Sequence, residues 1–424
     1  MSTPIRSVRG MNDILPKDIH YWKKFETTVE DVFSAFGFEQ IRTPILEKTD
    51  VFTRAIGSAT DVVSKEMYSF DDRNGESLSL RPEGTASVVR AAIQNGLLYG
   101  PVKRLWYGGA MFRYERPQKG RTRQFHQFGA ELFGAPGADA DAEILAMGTR
   151  LWESLGLRGI RLELNTLGNS DERSAYRNQL HAFLTAHSSE LDDQTNERAE
   201  RNPLRVLDSK DPGVQALLEE APLLTEHLGE DSRRHYDQLK RYLDRLGIEY
   251  KENPRLVRGL DYYCHSVFEW MTDELGAQGT VCAGGRYDKL VELQGGKPWP
   301  GIGFAMGKER LVELLRQKDD IVPPQIHAYL VAVGENTAES AMELAYDLRR
   351  GIPGLRLVGN LNGGSFKSQF KRADRSGAFL ALVLGEEEIR NEKIAIKFLR
   401  SGDEQLSLAR DEAEDWVRKY IETL

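Results

Sequence analysis

The N-terminal part of the chain opens with an amphipathic pattern. Apolar residues recur every three to four positions over residues 22–36, and Gly37 follows them. This spacing predicts a helix that buries one face and ends at a glycine in the left-handed conformation. A similar stripe predicts a second helix over residues 139–155, with Gly156 at its end. Both helices are expected to flank a sheet.

Short alternating or apolar runs, separated by turns, predict an antiparallel sheet. These runs cover residues 77–80, 104–115, 124–133 and 160–164, and the pattern resumes at 266–270, 279–283 and 301–306. Residues 170–252 carry dense mixed charge and few strand formers, which predicts a helical insertion. We therefore expect a core made of residues 1–169 and 253–318, interrupted by a helical domain over residues 170–252.

The C-terminal part alternates strand and helix patterns. Residues 319–325 contain two aspartates and two prolines, as expected of a linker. Strand patterns at 327–333, 355–358 and 379–384 alternate with helix patterns at 338–350 and 366–375. This order predicts a small α/β domain over residues 326–424 with a partly parallel sheet. The fold class of the whole chain is therefore α+β.

Composition restricts the class of protein. The 424 residues include 57 Lys+Arg and 65 Asp+Glu, a formal net charge of −8, and 40% are hydrophobic. This is enough apolar material for packed cores, so wholesale disorder is excluded. No apolar run approaches the roughly 18 residues of a membrane span, and the N-terminus has no secretory signal pattern. We expect a cytoplasmic protein that has no membrane partner.

The chain has two cysteines, Cys264 and Cys282. Two are too few for a disulfide framework. They are also too few for structural zinc, even with His265, because the spacing matches no zinc ribbon or finger. We therefore expect two buried thiols and no metal held by protein side chains alone.

Residues 101–130 form a sharply basic stretch in this acidic chain, with seven basic residues and one acidic residue. A solvated surface loop would have the same composition. The stretch, however, lies between two predicted strands, and residues 116–123, with Pro117 and Gly120, predict a hairpin loop. The cations would then stand at the rim of a sheet, which suits phosphate groups.

The alternation of a strand sorts the side chains around this loop, because residues two apart share a face. Phe125, Gln127 and Glu131 share one face of the second strand, and Arg113 and Glu115 share one face of the first. Burying such polar groups without partners costs free energy. The pattern favours a polar binding surface, and a sheet side that faces only solvent is the alternative.

Three further positions are candidates for binding. The side chains of Glu83 and Thr85 would point in the same direction if residues 80–85 are extended. Arg258 lies between small and apolar neighbours, which indicates a directed cation, although an ion pair with Asp261 or another acid is the alternative. Arg310 lies near the start of a predicted helix, where it adds to the field that favours phosphate.

The predicted helix at 366–375 carries basic residues at positions i, i+4 and i+8, namely Lys367, Lys371 and Arg375. The side chains expected to face inward are Phe366, Phe370 and Ala373. This basic stripe is typical of a nucleic-acid contact, and a solvated helix face would look the same.

Together these segments resemble the histidyl-tRNA synthetases, which are class II aminoacyl-tRNA synthetases, over essentially the whole chain. Residues 37–47, 112–134 and 303–311 resemble the dimer-forming, strand–loop–strand and strand–helix motifs of that class. Residues 258–263 and 279–287 resemble the two segments peculiar to the histidine enzymes. Lys308 and the pair Cys264 and His265 depart from the usual residues, and neither departure removes a chemical group.

The resemblance implies which residues bind each substrate. Those around histidine would be Glu83, Gly84, Thr85, Arg113, Gln127, Glu131, Arg258, Tyr262 and Tyr263, with Glu131 and a tyrosine reading the imidazole nitrogens. Those around ATP, which would come with Mg²⁺, would be Arg113, Glu115, Arg121, Phe125 and Arg310. The catalytic cations would be Arg113, Arg258 and Arg310. Those meeting tRNA(His) would be Arg116, Gln118, Lys367, Lys371 and Arg375.

The implied activity is that of a homodimeric ligase, with a class II sheet, flanking helices, a helical insertion and a C-terminal anticodon-binding domain. It would activate L-histidine with ATP and transfer it to the 3′ end of tRNA(His). The main alternative is a catalytically silent, histidine-binding regulatory subunit of ATP phosphoribosyltransferase. Such relatives generally lack the last domain, and their arginine-rich segment is degenerate. Both the domain and the segment are present here. A second alternative, a nucleic-acid-binding module without activity, does not explain Glu83, Gln127 and Glu131.

Overall fold

The computed structural model describes residues 4–57, 60–118, 120–260, 262–276, 279–318 and 321–424. The chain divides into two compact units, Met1–Ile321 and Val322–Leu424. Of the predicted linker, residues 319 and 320 lie outside the described residues, and residues 321–325 form neither helix nor strand. None of the described helices is both long and apolar enough to cross a membrane.

A large mixed sheet is the framework of the first unit. The described strands of this unit are β1 (Glu39–Gln40), β2 (Leu46–Lys48), β3 (Tyr68–Asp71), β4 (Ser77–Leu80), β5 (Lys103–Phe112), β6 (Gln124–Phe133), β7 (Arg161–Thr166), β8 (Tyr250–Glu252), β9 (Cys264–Met271), β10 (Thr280–Arg286) and β11 (Gly301–Gly307). The sheet has the order β1-β5-β6-β11-β10-β9-β7-β8. Neighbouring strands in this sheet pair antiparallel, except at its two edges, where β1 pairs parallel with β5 and β7 pairs parallel with β8.

Two strand predictions need correction. The strand predicted over residues 104–115 ends at Phe112, so Arg113 and Glu115 lie beyond it. The segment Ser77–Leu80, expected in the same sheet, instead forms the centre of a separate three-stranded sheet, β2-β4-β3. Neither difference is visible in the apolar pattern, because alternation does not reveal the strand with which a segment pairs.

Helices cover the sheet, as predicted. The described helices of the first unit are α1 (Ile19–Ala35), α2 (Thr49–Ile56), α3 (Thr85–Gln94), α4 (Ala138–Ser154), α5 (Ser170–Ala186), α6 (Asp193–Arg201), α7 (Pro212–Leu218), α8 (Glu230–Leu246), α9 (Leu290–Leu293) and α10 (Lys308–Lys318). Gly37 and Gly156, which follow α1 and α4, have positive φ angles of 76° and 65°. Phe25 and Phe33 of α1 and Met147 of α4 are fully buried in one core with the sheet.

Residues 170–252 are mainly helical, as their composition predicts, but they end in a strand. Tyr250–Glu252 pairs parallel with Arg161–Thr166 at the edge of the main sheet. The helices before it bury Tyr176, Leu180 and Leu218 in a second core. Charge patterning identified the helices but gave no sign of the three-residue strand.

The second unit has its own five-stranded sheet of order β13-β12-β14-β15-β16, built from β12 (Ala328–Val333), β13 (Leu357–Gly359), β14 (Leu380–Gly385), β15 (Lys393–Phe398) and β16 (Leu406–Ala409). Its described helices are α11 (Thr337–Gly351), α12 (Phe366–Arg375), α13 (Glu386–Arg390) and α14 (Ala413–Ile421). The β12 pairs are parallel and the β15 pairs antiparallel, which confirms a partly parallel sheet. The elements after Gly385 had not been predicted.

Candidate active site

The strands β5 and β6 pair along their whole length, from Lys103 with Phe133 to Phe112 with Gln124. The alternation of β6 turns Phe125 and Gln127 to the same face, where the first unit has a cavity of about 260 Å³. Nine of the residues predicted from the sequence line this cavity: Glu83, Thr85, Arg113, Phe125, Gln127, Arg258, Tyr262, Tyr263 and Arg310. Segments far apart in the chain therefore meet on one side of the sheet.

A second cavity, of about 150 Å³, adjoins the first and is lined by Glu115 and Arg121. The residues that line both cavities include Arg113, Phe125 and Arg310. The guanidinium carbon of Arg113 lies 5.3 Å from the ring centroid of Phe125. An aromatic ring beside guanidinium groups is an arrangement that suits a nucleobase attached to phosphates.

The second cavity has an excess of fixed positive charge. Arg113 and Arg121 lie 3.9 Å and 3.4 Å from the Glu115 carboxylate, and Arg310 lines the same cavity. The other carboxylate, Glu309, accepts from the backbone N–H of His126 at 2.8 Å and lies 2.9 Å from its ring nitrogen Nδ1. Arg310 lies in the first turn of α10, and burial together with the charge of Arg121 lowers its pKa. Because like charges are held together here, an anionic ligand relieves their repulsion.

Gln127 is oriented by its neighbours. Its Oε1 accepts hydrogen bonds from the Gly84 N–H at 2.9 Å and from the Tyr107 hydroxyl at 3.4 Å. The amide NH₂ is therefore the group that Gln127 offers to a ligand. A Cβ on Gly84 would overlap the Tyr107 ring, which explains the glycine at this turn.

Glu83 is almost fully buried at the wall of the first cavity. Its two carboxylate oxygens accept from the backbone N–H groups of Thr85 and Ala86, both at 2.8 Å, at the start of α3. Burial raises the pKa of the Glu83 carboxyl, and these N–H groups oppose the shift. Glu83 thus fixes the position of Thr85 as well as lining the cavity.

Glu131 lies behind the cavity wall. Its Oε1 accepts from the Thr85 hydroxyl at 2.6 Å and its Oε2 accepts from the Tyr287 hydroxyl. Burial raises the pKa of Glu131 to about 8, although both hydroxyl groups favour the ionised form. From the sequence, Glu131 is expected to contact a ligand directly. In this structure Glu131 is connected to the cavity through the Thr85 hydroxyl.

Arg258 is both a cation at the cavity and a member of an ion pair, the two alternatives that its sequence surroundings left open. It lines the cavity, and its guanidinium also forms an ion pair with Glu269 on β9. The Thr280 hydroxyl donates to the other Glu269 oxygen at 2.9 Å. The Nε of Arg258 is buried and has no hydrogen-bond partner within the described part of the chain. Asp261, the other proposed partner, lies outside the described residues.

Three residues that organise the site were not predicted from the sequence: Tyr107, Glu269 and Tyr287. Tyr287 ends the segment 279–287 that was singled out, so it could have been found there. Its ring centroid lies 5.7 Å from that of Tyr262, which in turn lies 4.5 Å from that of Tyr263. Burial raises the pKa of Tyr263 to about 12, so this aromatic cluster is neutral and offers hydroxyl groups.

A third cavity lies beside the first and shares Arg258 and Leu260 with it. It is lined by Arg173, Arg177 and Arg205, which come from the mainly helical interval and were not predicted as site residues. Scattered charges in a helical segment give no sequence signal that they converge. Such a cluster suits phosphate groups.

The candidate tRNA contacts are exposed. Arg116 and Gln118 lie in the hairpin loop, and Lys119 beside them is outside the described residues. On α12 of the second unit, Lys367, Lys371 and Arg375 are exposed, and so is a fourth basic residue, Arg372. The prediction that Phe366 faces inward was wrong: its side chain is 53% exposed, because it lies in the first turn of the helix.

The two departures from the usual sequence have different surroundings. The Lys308 ammonium is buried, pairs with Glu26 and lies 4.3 Å from the ring centroid of Trp22. Cys282 is buried as predicted, but Cys264 is only partly buried. The expectation of two buried thiols was therefore wrong for Cys264, which lies at the start of β9.

Comparison with known families finds two matches. A family described as histidyl-tRNA synthetase matches residues 10–311, and a family described as anticodon binding domain matches residues 327–420. Together they cover both compact units. The predicted fold class, with an antiparallel-rich sheet, flanking helices and a C-terminal anticodon-binding domain, is confirmed.

Solved structures agree with this fold. Apo histidyl-tRNA synthetase from S. aureus is 35% identical, covers 98% of this chain and 100% of its own, and has a TM-score of 0.82. Histidyl-tRNA synthetase from Nostoc is 20% identical, covers 99% and 100%, and has a TM-score of 0.68. A Bacillus halodurans protein described as an ATP phosphoribosyltransferase regulatory subunit/histidyl-tRNA synthetase is 22% identical, covers 91% and 99%, and has a TM-score of 0.64. The last two similarities concern the fold alone.

Proposed function

Because the chain belongs to the histidyl-tRNA synthetase family, we propose that it is a histidine–tRNA ligase. It activates L-histidine with ATP to histidyl-adenylate and then transfers histidine to the 3′ end of tRNA(His). The observation that carries this proposal is the pair of adjoining cavities, one with amide, carboxyl and phenol groups and the other with three arginines. A histidine site beside a triphosphate site is what adenylate formation requires.

Histidine binds between Gln127 and the pair Tyr262 and Tyr263. A neutral imidazole has one donor and one acceptor nitrogen, so it needs one partner of each kind. The tyrosine hydroxyls and the Thr85 hydroxyl, which is held by Glu131, supply both kinds of partner. An apolar side chain of similar size leaves these groups unpaired, and the site therefore rejects it.

Adenylate formation is an in-line displacement. The histidine carboxylate attacks the α-phosphorus of ATP, the bond from phosphorus to the pyrophosphate oxygen breaks, and pyrophosphate leaves. Arg113 and Arg258 hold the α-phosphate, and Arg310 holds the γ-phosphate at the start of α10. Positioned cations stabilise the charge that develops on the phosphoryl oxygens, so the protein needs no covalent intermediate.

Mg²⁺ would accompany ATP as its counter-ion, and when bound it would supply neutralisation of part of the phosphate charge. Glu115 fits this ion, because its side chain is 16% exposed beside the phosphate-binding arginines and Mg²⁺ prefers oxygen ligands. The phosphates and water would supply the other ligands. Phe125 stacks on adenine, and Arg121 makes a secondary phosphate contact.

The tRNA meets the enzyme at two places. The hairpin loop with Arg116 and Gln118 contacts the acceptor end, and the basic stripe of α12 contacts the anticodon arm. We assign the catalytic core to residues 1–169 and 253–318, the insertion to 170–252, the linker to 319–325 and the anticodon-binding domain to 326–424. The enzyme works in the cytoplasm as a homodimer.

A regulatory subunit of ATP phosphoribosyltransferase is the second candidate. The similarity to the Bacillus halodurans protein favours it, because a protein with that description has this fold over nearly its whole length. Such a subunit binds histidine but forms no adenylate, so it has no need for phosphate-binding arginines. The cluster of Arg113, Arg121 and Arg310 favours the ligase.

Histidine-dependent exchange of pyrophosphate into ATP tests the proposal. The purified chain is expected to catalyse exchange with L-histidine but not with the other amino acids, and to charge tRNA(His). Histidine binding without exchange, together with stimulation of an ATP phosphoribosyltransferase, would establish the regulatory subunit instead. Arg310→Gln, which leaves a shorter polar side chain without the positive charge, is expected to lose exchange and to retain histidine binding.

A further inference from the structure

A cluster of metal-ligating side chains lies outside the histidine and ATP cavities. The Sγ of Cys264, a ring nitrogen of His265 and a carboxylate oxygen of Asp288 all lie within 4.8 Å of one another. The Nδ1 of His265 is buried and has no hydrogen-bond partner among the described residues. A thiol, an imidazole and a carboxylate are not needed together for packing, and none of them takes part in the proposed reaction.

The backbone is irregular where these side chains meet. In a regular strand neighbouring side chains point to opposite faces. His265, however, has a φ of 46°, in the left-handed region, and the pairing of β9 with β10 shifts register between Gly285 and Arg286. This bulge breaks the alternation and lets Cys264 and His265 approach the same point. Asp288 lies beside them, and its N–H donates to the Cys264 Sγ at 3.4 Å.

Acidic groups balance the positive charge around the cluster. The Arg286 guanidinium is fully buried and pairs with both Asp141 and Asp288. The Nε2 of His235 lies 2.8 Å from Asp141, and the His235 ring centroid lies 5.3 Å from that of His265. A carboxylate that orients a histidine near a donor set is typical of the surroundings of metal sites.

We propose that Cys264, His265 and Asp288 form a binding site for a thiophilic divalent cation such as Zn²⁺. Thiolate, imidazole and carboxylate are the ligands Zn²⁺ prefers. Zinc–ligand bonds of about 2.0–2.3 Å place tetrahedral ligand atoms roughly 3.5 Å apart, so the donors, which already lie within 4.8 Å of one another, need to approach by no more than about 1.3 Å. On binding, a bond from sulfur to the metal forms and the thiol proton passes to solvent. Water, or His235 after a rotation of its ring, completes the coordination.

Sequence spacing alone could not reveal this site. The zinc site that the sequence spacing argues against combines Cys264 and His265 with Cys282, whereas the structure brings Asp288 to them instead. The site would link Cys264, which follows Tyr263, to Asp288, which follows Tyr287. Both tyrosines belong to the aromatic cluster of the histidine pocket. It does not depend on whether the chain is a ligase.

Titration with Co²⁺ tests the site. Full-length protein without a metal-binding tag is freed of metal by a chelator, and the thiolate-to-cobalt charge-transfer absorption is recorded in the near ultraviolet. One equivalent of Co²⁺ is expected to produce the band, and Zn²⁺ is expected to displace it. Cys264→Ser is expected to lose the band, whereas the matched control Cys282→Ser is expected to keep it.

Two further variants test the other ligands. Asp288→Asn is expected to bind Co²⁺ at least about 10-fold more weakly. His265→Asn, in which asparagine tolerates the positive φ, is expected to weaken binding similarly without disturbing the fold. Far-ultraviolet circular dichroism and thermal unfolding identify any variant that fails to fold, and the remaining variants then decide. Absence of a band in the parent protein, persistence in Cys264→Ser, loss in Cys282→Ser, or parental affinity in Asp288→Asn would overturn the proposed site.

Discussion

Replacing Arg258 with alanine tests the role of a single cation in adenylate formation. The Arg258 guanidinium lines the cavity and is held by Glu269, and its buried Nε remains for a ligand. If it stabilises charge on the α-phosphate, its removal affects the chemical step much more than histidine binding. We therefore expect Arg258→Ala to bind histidine with nearly unchanged affinity and to form almost no adenylate.

The substitution has two separate effects, one on the chemical step and one on folding stability. Removing one donor that stabilises the transition state typically reduces the rate by about 100- to 1,000-fold, which is about 3–4 kcal/mol. The same substitution leaves Glu269, whose side chain is only 13% exposed, without its ionic partner. Breaking a buried pair in this way can cost up to about 3–5 kcal/mol of folding stability. A loss of activity alone therefore does not identify its cause.

The double variant Arg258→Ala/Glu269→Gln separates these effects. Glutamine has no charge and still accepts the hydrogen bond from Thr280, so the double variant should regain most of the stability. Exchange of pyrophosphate into ATP measures the chemical step, isothermal titration measures histidine affinity, and urea unfolding measures stability. Glu269→Gln alone keeps the cation, and we expect it to retain much more exchange than either variant that lacks Arg258.

Two results would refute this reasoning. Exchange by Arg258→Ala within a few-fold of the parent rate would show that Arg258 does not act on the phosphate. Recovery of exchange in the double variant would show that the unpaired Glu269 carboxylate, and not the missing cation, caused the loss.

Three other predictions follow from the structure. Burial raises the pKa of Glu131 from 4.5 to about 8, so between these pH values the folded chain binds more protons than the unfolded chain and its stability falls as the pH rises. Glu131→Gln should therefore remove a slope of about 1.4 kcal/mol per pH unit from the free energy of unfolding in urea. An unchanged slope would contradict the assignment. Gly84→Ala should overlap the Tyr107 ring and raise the KM for histidine in exchange assays, whereas a parental KM would show that the turn adapts. Replacing the three basic residues Lys367, Lys371 and Arg375 of α12 with glutamine should weaken tRNA charging and leave pyrophosphate exchange intact. Equal loss of charging and exchange would indicate misfolding.

Much of the fold follows from local patterns in the sequence. The helices α1 and α4 and the long strand β6 are set by apolar periodicity and by the glycines that end the helices, and these are properties of neighbouring residues. The alternation of β6 also placed Phe125 and Gln127 on one face, and both line the cavity. Domain boundaries and the roles of individual site residues remain predictions, because the fold alone does not test them.

What the sequence could not supply is the identity of partners far apart in the chain. Tyr287 donates to Glu131 across 156 positions, and the pairing of β10 with β11 and of β11 with β6 brings them together. Arg258 meets Glu269 only because the chain turns back into β9, and periodicity contains no information about that turn. The bulge at His265 is equally hidden, because it depends on a register shift between two strands.

A crystal structure with L-histidine and a non-hydrolysable ATP analogue tests the central claim most directly. We predict the imidazole between Gln127 and Tyr263, the adenine on Phe125, and the α-phosphate within reach of both the histidine carboxylate and Arg258. Histidine bound with no nucleotide beside it at saturating analogue, or nucleotide bound outside the arginine-lined cavity, would contradict the account.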